Sequence, residues 1–284
     1  MHEFLVSTGW LQDHLDDDGV VILDCRFAFD HDARVDYAAA HIPGAHYLDW
    51  STDLTDLDHD VDGMIAPPEK VAATMERFGI SDDTLIVGYD HEGGHFASRL
   101  WLVLARYGHG EQVRILDGGW TAWVQEDRPQ SAEVPEPSGG ASFTMNPADF
   151  RPDLVADAQE TLAASQAGSD VVLDVRRWTE YIGEEVRAAR GGRVPNVVHG
   201  LWNDNLNWDG DRRFLDPDAL KSRAIELGIP EGAPVVTYCQ GGVRAAHAAI
   251  ALMMAGWEDV RVYDGSWAEW GNRDDLPIET GEPE

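Results

Sequence analysis

Lysine is almost absent from this chain of 284 residues: only Lys70 and Lys221 occur, so arginine supplies nearly all of the positive charge. Positive charge of either kind is scarce, with 21 lysines and arginines against 52 acidic residues and a formal net charge of −31. Nucleic-acid binding depends on basic patches that neutralise phosphates. The composition therefore argues against a nucleic-acid partner.

Cysteine and long apolar runs are scarce as well. Two cysteines, Cys25 and Cys239, cannot build a disulfide framework. No apolar run approaches the ~20 residues that a membrane-spanning helix needs. Residues 1–5 also lack the basic region and apolar stretch of a signal peptide. We therefore expect a cytoplasmic protein with no membrane partner.

The acidic residues are spread along the chain rather than gathered in a tail, with dense stretches at 16–18, 56–62 and 204–218. Such a surface repels itself, and salt weakens this repulsion because the Debye length falls to ~3 Å at 1 M. The composition resembles that of proteins from salt-loving archaea and predicts a halophilic protein. An acidic protein adapted to ordinary salt is the alternative.

The chain contains two copies of one unit. Four segments of the first copy match four of the second at nearly constant offsets, which indicates a duplication. The matched pairs are 22–26 with 172–176, 78–81 with 227–230, 85–90 with 234–239, and 114–120 with 261–267. A stretch rich in proline and glycine separates the copies. We predict domains over residues 1–128 and 148–284, joined by a linker at 129–147.

Each copy alternates short apolar runs with helical patterns, such as those over residues 97–107 and 245–254. Alternation of this kind is typical of an α/β fold, in which a mainly parallel sheet is flanked by helices. The sequence therefore predicts two tandem α/β domains of the same architecture.

The stretch around Cys239 is the most informative. An apolar run over 235–238 precedes the cysteine, and two glycines, an arginine and an alanine-rich segment follow it. This order predicts a strand, a tight loop and the N-terminus of a helix. Backbone N–H groups and the helix dipole there favour a thiolate and can bind an anion. We predict that Cys239 is a nucleophile; a buried structural thiol is the alternative.

The first copy carries Asp90 at the position of Cys239, and its loop is one residue longer before the helices align again. A carboxylate is not a soft nucleophile, and no thiol replaces it nearby. The first copy is therefore predicted to be catalytically silent.

Further motifs complete the pattern: His-Ile-Pro-Gly-Ala at 41–45, Asp-Val-Arg at 174–176, the six-residue loop 239–244, and the closing segments 263–270 and 276–281. Taken in order, these motifs resemble the two-domain rhodanese-type sulfurtransferases, whose N-terminal copy is silent. The resemblance covers essentially the whole chain. It implies two tandem rhodanese-like domains and an enzyme that needs no metal or organic cofactor.

In the reaction that the resemblance implies, the Cys239 thiolate takes the outer sulfur of thiosulfate, a small anionic donor, as a persulfide. An acceptor then removes that sulfur: cyanide in vitro, a thiol or a protein in the cell. Arg244 would contact the donor, although an ion pair with a carboxylate is its alternative, and Arg187 could also reach the substrate. The remaining predicted substrate-binding positions are Gln240, Gly241, Gly242 and Val243, whose backbone N–H groups would hold the sulfur.

Asp174 and Arg176 are predicted in a supporting role. An arginine follows the strand in both copies, as Arg26 and Arg176, but only one copy has the thiol. This favours a structural ion pair of Arg176 with Asp174 or a neighbouring carboxylate over a catalytic role.

Several departures leave the donor open. Relatives that use mercaptopyruvate usually carry Cys-Gly-Ser-Gly-Val-Thr, whereas those that use thiosulfate often place a cation one, two or five positions after the cysteine. Arg244 lies at the fifth position, but Glu180 stands where animal-type members have an arginine. The loop favours thiosulfate; a 3-mercaptopyruvate sulfurtransferase and a persulfide carrier with a protein donor are the alternatives. A cysteine phosphatase is disfavoured, because Cys239 and Arg244 enclose four residues rather than five.

The charge predicts that salt maintains the fold. At low salt the carboxylates repel one another over longer distances, so we expect the protein to lose structure. Circular dichroism in 0.1 M and in roughly 2 M KCl measures the effect. Identical spectra at the two concentrations would refute salt dependence.

Overall fold

The computed structural model describes residues 3–136, 140–168 and 170–283. They form two compact units. The first comprises Met1–Thr55, Ile65–Arg151 and Leu206–Phe214, and the second comprises Asp56–Met64, Pro152–Asn205 and Leu215–Glu284.

This division differs from the predicted boundaries, because the described parts of the predicted linker, 129–136 and 140–147, belong to the first unit. His41 and Ser131 exchange backbone hydrogen bonds of 2.8 and 2.9 Å, and the Trp123 indole donates to the Pro129 carbonyl at 2.7 Å. Proline and glycine indicate irregular backbone there, but they do not prevent it from packing on the domain. Residues 137–139 of the predicted linker lie outside the described residues.

The first unit contains a five-stranded parallel sheet in the order β1-β5-β4-β2-β3. Its strands are β1 Leu5–Val6, β2 Val20–Asp24, β3 His46–Tyr47, β4 Leu85–Tyr89 and β5 Val113–Leu116. Its helices are α1 Thr8–Asp13, α2 Arg34–Ala39, α3 Trp50–Asp53, α4 Pro68–Arg77, α5 His95–Arg106 and α6 Gly119–Gln125, with 3₁₀ turns at Gly110–Gln112 and Pro147–Asp149.

The second unit repeats this order as β6-β10-β9-β7-β8, again with parallel neighbours. Its strands are β6 Val155–Ala156, β7 Val171–Asp174, β8 Val198–His199, β9 Val235–Tyr238 and β10 Val260–Tyr263. Its helices are α7 Ala158–Ala167, α8 Trp178–Tyr181, α9 Pro217–Glu226, α10 Val243–Met254 and α11 Ser266–Trp270, with 3₁₀ turns at Pro152–Leu154 and Trp202–Asn205. The predicted pair of mainly parallel α/β domains is confirmed.

The two helices that follow the central strands begin two residues earlier than the sequence pattern indicated. Each is preceded by a glycine with a left-handed backbone, Gly94 with φ +97° and Gly242 with φ +76°. Glycine adopts this conformation without a steric penalty, so the chain can turn sharply out of the strand and start the helix at once. This turn carries Cys239 in the second unit.

Aromatic side chains fill one side of the second sheet. Trp267 and Trp270 of α11 are fully buried against Tyr263 of β10 and Val236 of β9, together with small residues of α7. Large aromatic groups contribute most of the apolar area that such a core removes from water. They fix α11 against the carboxyl ends of the strands. Among the described residues, no helix is long and apolar enough to span a membrane.

Segment 206–214 of the second copy packs within the first unit. The Phe214 N–H donates to an Asp117 oxygen at 3.0 Å, and the Arg213 guanidinium lies 4.0 Å from the other oxygen. Burial raises the pKa of Asp117 to about 6, and these two neighbours only partly offset its effect. At neutral pH a half-buried, charged carboxylate therefore persists at a cost to stability.

Removing this charge should stabilise the protein above pH 6. The folded state holds the Asp117 proton more tightly than the unfolded chain does, so stability falls as pH rises from about 4 through 6. Asp117→Asn keeps an oxygen for the Phe214 N–H and should raise the free energy of unfolding at pH 7.5 by about 2 kcal/mol, with no gain at pH 4.

Urea unfolding at fixed KCl concentration measures this difference. Asp58→Asn is the control, because it removes the same charge from an exposed position. An equal gain in both variants would mean that relief of the overall negative charge, rather than burial of Asp117, is responsible.

Candidate active site

Cys239 directly follows β9 and lies at the head of the loop 239–244, which we call the Cys239 loop. The side chain is buried, with 1 % of the residue exposed. The loop leads into α10, whose first-turn N–H groups, those of Val243, Arg244 and Ala245, have no acceptor within the helix. A thiol and a set of backbone donors that the helix itself leaves unpaired are therefore brought together in one turn.

The backbone of the Cys239 loop is tied to the start of α11. The carbonyl groups of Cys239 and Gln240 accept hydrogen bonds from the N–H groups of Trp267 and Ala268, at 3.0 and 2.8 Å. The Ser266 hydroxyl accepts from the N–H of Cys239 at 3.1 Å and from that of Gly242 at 3.2 Å. The loop therefore has a fixed shape before any ligand binds.

Arg244 is paired with Glu180 of α8. Two hydrogen bonds of 2.8 and 3.1 Å join its guanidinium to the carboxylate, which is only 1 % exposed. Burial alone would raise the pKa of Glu180, but the hydrogen bonds and charge of Arg244, with Arg176 and Arg177, outweigh it and lower the pKa to about 2. The cation predicted to meet the donor is therefore held in place by a permanently ionised partner.

Two more arginines share the same carboxylate. Arg177 donates to Glu180 at 3.2 Å, and Arg187 forms an ion pair with it at 3.6 Å. The Gln240 amide also donates to the Arg187 carbonyl at 3.1 Å, which joins this segment to the Cys239 loop. Arg177 also binds Glu185, so three cations and two anions leave one positive charge in surplus beside the loop, in a protein that is strongly negative as a whole.

Asp174 and Arg176 form a buried ion pair at the end of β7. The guanidinium contacts the carboxylate at 2.7 and 3.0 Å and stacks over the Trp267 ring at 4.5 Å. The Tyr238 hydroxyl donates to the same carboxylate at 2.5 Å. Because Tyr238 precedes Cys239, this pair anchors the strand that carries the thiol. The structure places it beneath the loop, as a support.

The first unit contains the same support and a different loop. Arg26 binds Asp24 at 2.6 Å, and the Tyr89 hydroxyl donates to that carboxylate at 2.6 Å. Beyond Tyr89, however, the Asp90 carboxylate occupies the turn and accepts hydrogen bonds from four backbone N–H groups. The donors are Glu92 at 2.8 Å, Gly94 at 2.9 Å, Phe96 at 2.8 Å and Ala97 at 3.2 Å. The anion site of the first copy is filled by its own side chain.

The charge state of Asp90 fits this role. Burial would raise its pKa, but the nearby His95 and the backbone donors outweigh burial and lower the pKa. An ionised carboxylate thus stands where the second copy has a thiol, and the backbone N–H groups of this turn, together with nearby His95, hold the buried anion.

The structure brings most of the predicted site residues together. Cys239, Gln240, Gly241, Gly242, Val243 and Arg244 form one turn, and Arg187 joins it through Gln240 and Glu180. Val243 contributes its backbone, because its side chain is buried. In residues 3–136, 140–168 and 170–283, no cluster of three or more His, Cys, Asp or Glu side chains could hold a metal ion.

Sequence reasoning gave no role to two residues that contact this loop. Glu180 departs from the family pattern, and its link to Arg244 depends on the fold. Ser266 and its repeat equivalent Gly119 lie in the matched segments 261–267 and 114–120, and the difference between them is the available signal.

Loss of the Glu180 charge should destabilise the second unit. Its depressed pKa means that ionised Glu180 stabilises the fold at pH values above about 4.5, and this contribution is lost as pH falls through about 2. We expect Glu180→Gln to lower the free energy of unfolding by about 3 kcal/mol at pH 7, and by much less at pH 3.

Guanidinium unfolding at both pH values tests this. Glu185→Gln is the matched control, because Glu185 binds Arg177 at 2.5 Å in a partly exposed position and should change stability by no more than about 1 kcal/mol. Equal losses in the two variants, or a loss that does not depend on pH, would contradict the role assigned to Glu180.

Comparison with known proteins agrees with this geometry. The family profile described as the Rhodanese-like domain matches residues 7–126 and 157–273, one region in each copy. The chain is 34% identical to the "Sulfur carrier protein TtuD" of Thermus thermophilus, an alignment that covers 99% of this chain and 98% of the relative.

Two other relatives carry different names. The "3-mercaptopyruvate sulfurtransferase" of Escherichia coli is 30% identical, with 97% of this chain and 98% of the relative covered. A "Thiosulfate sulfurtransferase" of Corynebacterium glutamicum is 35% identical, with 99% and 91% covered. Since both copies match the profile and these relatives align over nearly their full length, the chain belongs to the Rhodanese family and carries two rhodanese-like domains.

Proposed function

We propose that this protein is a sulfurtransferase that moves the outer sulfur of thiosulfate to a thiophilic acceptor through a persulfide on Cys239. It would act in the cytoplasm. The observation that carries the proposal is the contrast between the two loops: the turn that binds the Asp90 carboxylate in the first copy holds a cysteine in the second. Sulfurtransferases are also among its full-length relatives.

Asp90 supports an assignment of the donors that would bind the anionic sulfur. One of its oxygens binds the N–H groups of Phe96 and Ala97, in the first turn of α5. Since α5 and α10 begin at equivalent positions, the corresponding donors in the second copy are the N–H groups of Arg244 and Ala245. The terminal sulfur of a Cys239 persulfide would occupy the place of that oxygen.

The chemistry needs two displacements. The Cys239 thiolate attacks the outer sulfur of thiosulfate, the bond between the two thiosulfate sulfurs breaks, and sulfite leaves with its electron pair. A persulfide anion remains, so the total charge of −3 is conserved. Cyanide then attacks the terminal sulfur, thiocyanate leaves, and the thiolate returns. Neither step moves a proton or requires an oxidant.

The charges around the loop support thiosulfate as the donor. Arg177, Arg187 and Arg244 surround the carboxylate of Glu180, and Arg177 also binds Glu185, so one positive charge is left in surplus. Thiosulfate carries two negative charges and 3-mercaptopyruvate only one on its carboxylate, so the dianion gains more from this surplus. Arg244 is already bound to Glu180 by two hydrogen bonds. We therefore attribute the stronger binding of thiosulfate to the positive potential of the whole cluster, and not to a guanidinium without a partner.

Thiocyanate formation at high salt tests the proposal. With cyanide as acceptor, we expect turnover on thiosulfate to exceed turnover on 3-mercaptopyruvate, and Cys239→Ser to lower it by at least about a thousandfold. Cys25→Ala is the matched control, because Cys25 is buried in the first unit and should leave turnover unchanged.

Other outcomes of this assay would assign a different donor or function. Faster turnover on 3-mercaptopyruvate than on thiosulfate would identify 3-mercaptopyruvate as the donor. No turnover on either donor, together with a mass increase of ~32 Da on Cys239 in the purified protein, would identify a carrier that a protein donor supplies. Full activity in Cys239→Ser would reject the mechanism itself.

A further inference from the structure

Ser266 has an unfavourable backbone conformation at a buried position. It is the first residue of α11, it is fully buried, and its φ is +47°. Residues other than glycine rarely adopt this left-handed conformation, and those that do are concentrated at sites where the surrounding structure imposes it for a function. A side chain that persists here contributes something that glycine would not.

All three hydrogen-bonding positions of the Ser266 hydroxyl are used. It donates to the Tyr263 carbonyl at 2.8 Å and accepts from the N–H groups of Cys239 and Gly242, at 3.1 and 3.2 Å. A hydroxyl offers one donor and two acceptor sites, so its capacity is exhausted. One side chain therefore ties the end of β10 to both ends of the turn that carries the thiol.

The first unit holds its turn in another way. Its equivalent of Ser266 is Gly119, with φ +53° and no hydroxyl, and the Gly94 N–H instead binds the Asp90 carboxylate at 2.9 Å. A side chain at Gly119 would not fit, because its Cβ would lie 2.2 Å from the Asp90 carbonyl oxygen. The same turn is thus held in two ways: by Ser266 beside Cys239 in the second unit, and by the Asp90 carboxylate beside Gly119 in the first.

We propose that Ser266 is a positioning residue for Cys239. Its hydroxyl satisfies the N–H groups of Cys239 and Gly242 and so holds the loop in shape while leaving those of Arg244 and Ala245 free for an anion. In the first copy the carboxylate both shapes the loop and fills it. The role of the free donors rests on the proposed function, whereas the attachment of Cys239 through Ser266 does not.

Two substitutions separate the effect of the Ser266 hydroxyl from the effect of its backbone conformation. Ser266→Gly removes the hydroxyl and relieves the positive φ, whereas Ser266→Ala removes the hydroxyl and keeps the unfavourable backbone. Ser98→Ala is the control: it removes a buried hydroxyl that binds the Gly94 carbonyl at 2.6 Å in the loop of the silent copy.

We expect both Ser266 variants to lose roughly ten- to a hundredfold in the rate constant for Cys239 persulfide formation at saturating thiosulfate. The pH midpoint of Cys239 alkylation by iodoacetamide should also rise by about half a unit, because a loosened turn presents its N–H groups to the thiolate less well. Ser98→Ala should change neither quantity.

The alkylation measurement requires no sulfur donor, so it distinguishes the two proposals. If the wild type fails to react with thiosulfate but both Ser266 variants shift the alkylation midpoint, the proposed donor is wrong and the role of Ser266 stands. If the pH midpoint of Cys239 alkylation is unchanged in Ser266→Gly, the role of Ser266 is overturned. This holds if the variant keeps its turnover, and also if it loses turnover together with thermal stability.

Discussion

The backbone N–H groups that open α5 and α10 need an acceptor, and the turns that carry Asp90 and Cys239 are built around that requirement. A helix begins immediately beyond a buried parallel strand in both units, so its first N–H groups converge in a water-poor turn where an unsatisfied donor is costly. The first unit meets the need with the Asp90 carboxylate. The second unit meets part of it with the Ser266 hydroxyl, and in the proposed function an anionic sulfur meets the rest.

The frame beneath each turn is the same in both units. A buried Asp–Arg pair closes the edge of the sheet, and a tyrosine from the neighbouring strand donates to the aspartate. Breaking such a buried pair would leave an uncompensated charge, which makes the arrangement costly to change. The two copies differ in the turn above this frame, where Asp90 in one stands opposite Cys239 in the other, and at the first helical residue after the next strand, where Gly119 stands opposite Ser266.

The charge near Cys239 is opposite in sign to the net charge of the chain. The net charge is −31, yet three arginines gather around the buried Glu180 beside the loop. Glu180 balances part of this positive charge and fixes its geometry at the same time. These arginines lessen the repulsion that a small anion meets from the acidic chain near the loop, and screening by salt would lessen it further out.

Much of the fold and the position of the candidate nucleophile could be read from local patterns. Apolar runs, glycine turns and helical periodicity depend on neighbouring residues, so they revealed the duplicated α/β units, the Cys239 loop and the Asp90 that takes the place of the thiol in the first copy. The composition of the two compact units depends on contacts between residues far apart in sequence, such as those of His41 with Ser131 and of Asp117 with Phe214. Likewise, only folding brings Arg244 to Glu180 and Ser266 to Cys239, across 64 and 27 positions of the chain.

Residue identities determine which groups are available, whereas packing determines which of them meet. A hydrogen bond depends on ångström-scale placement that no local pattern encodes.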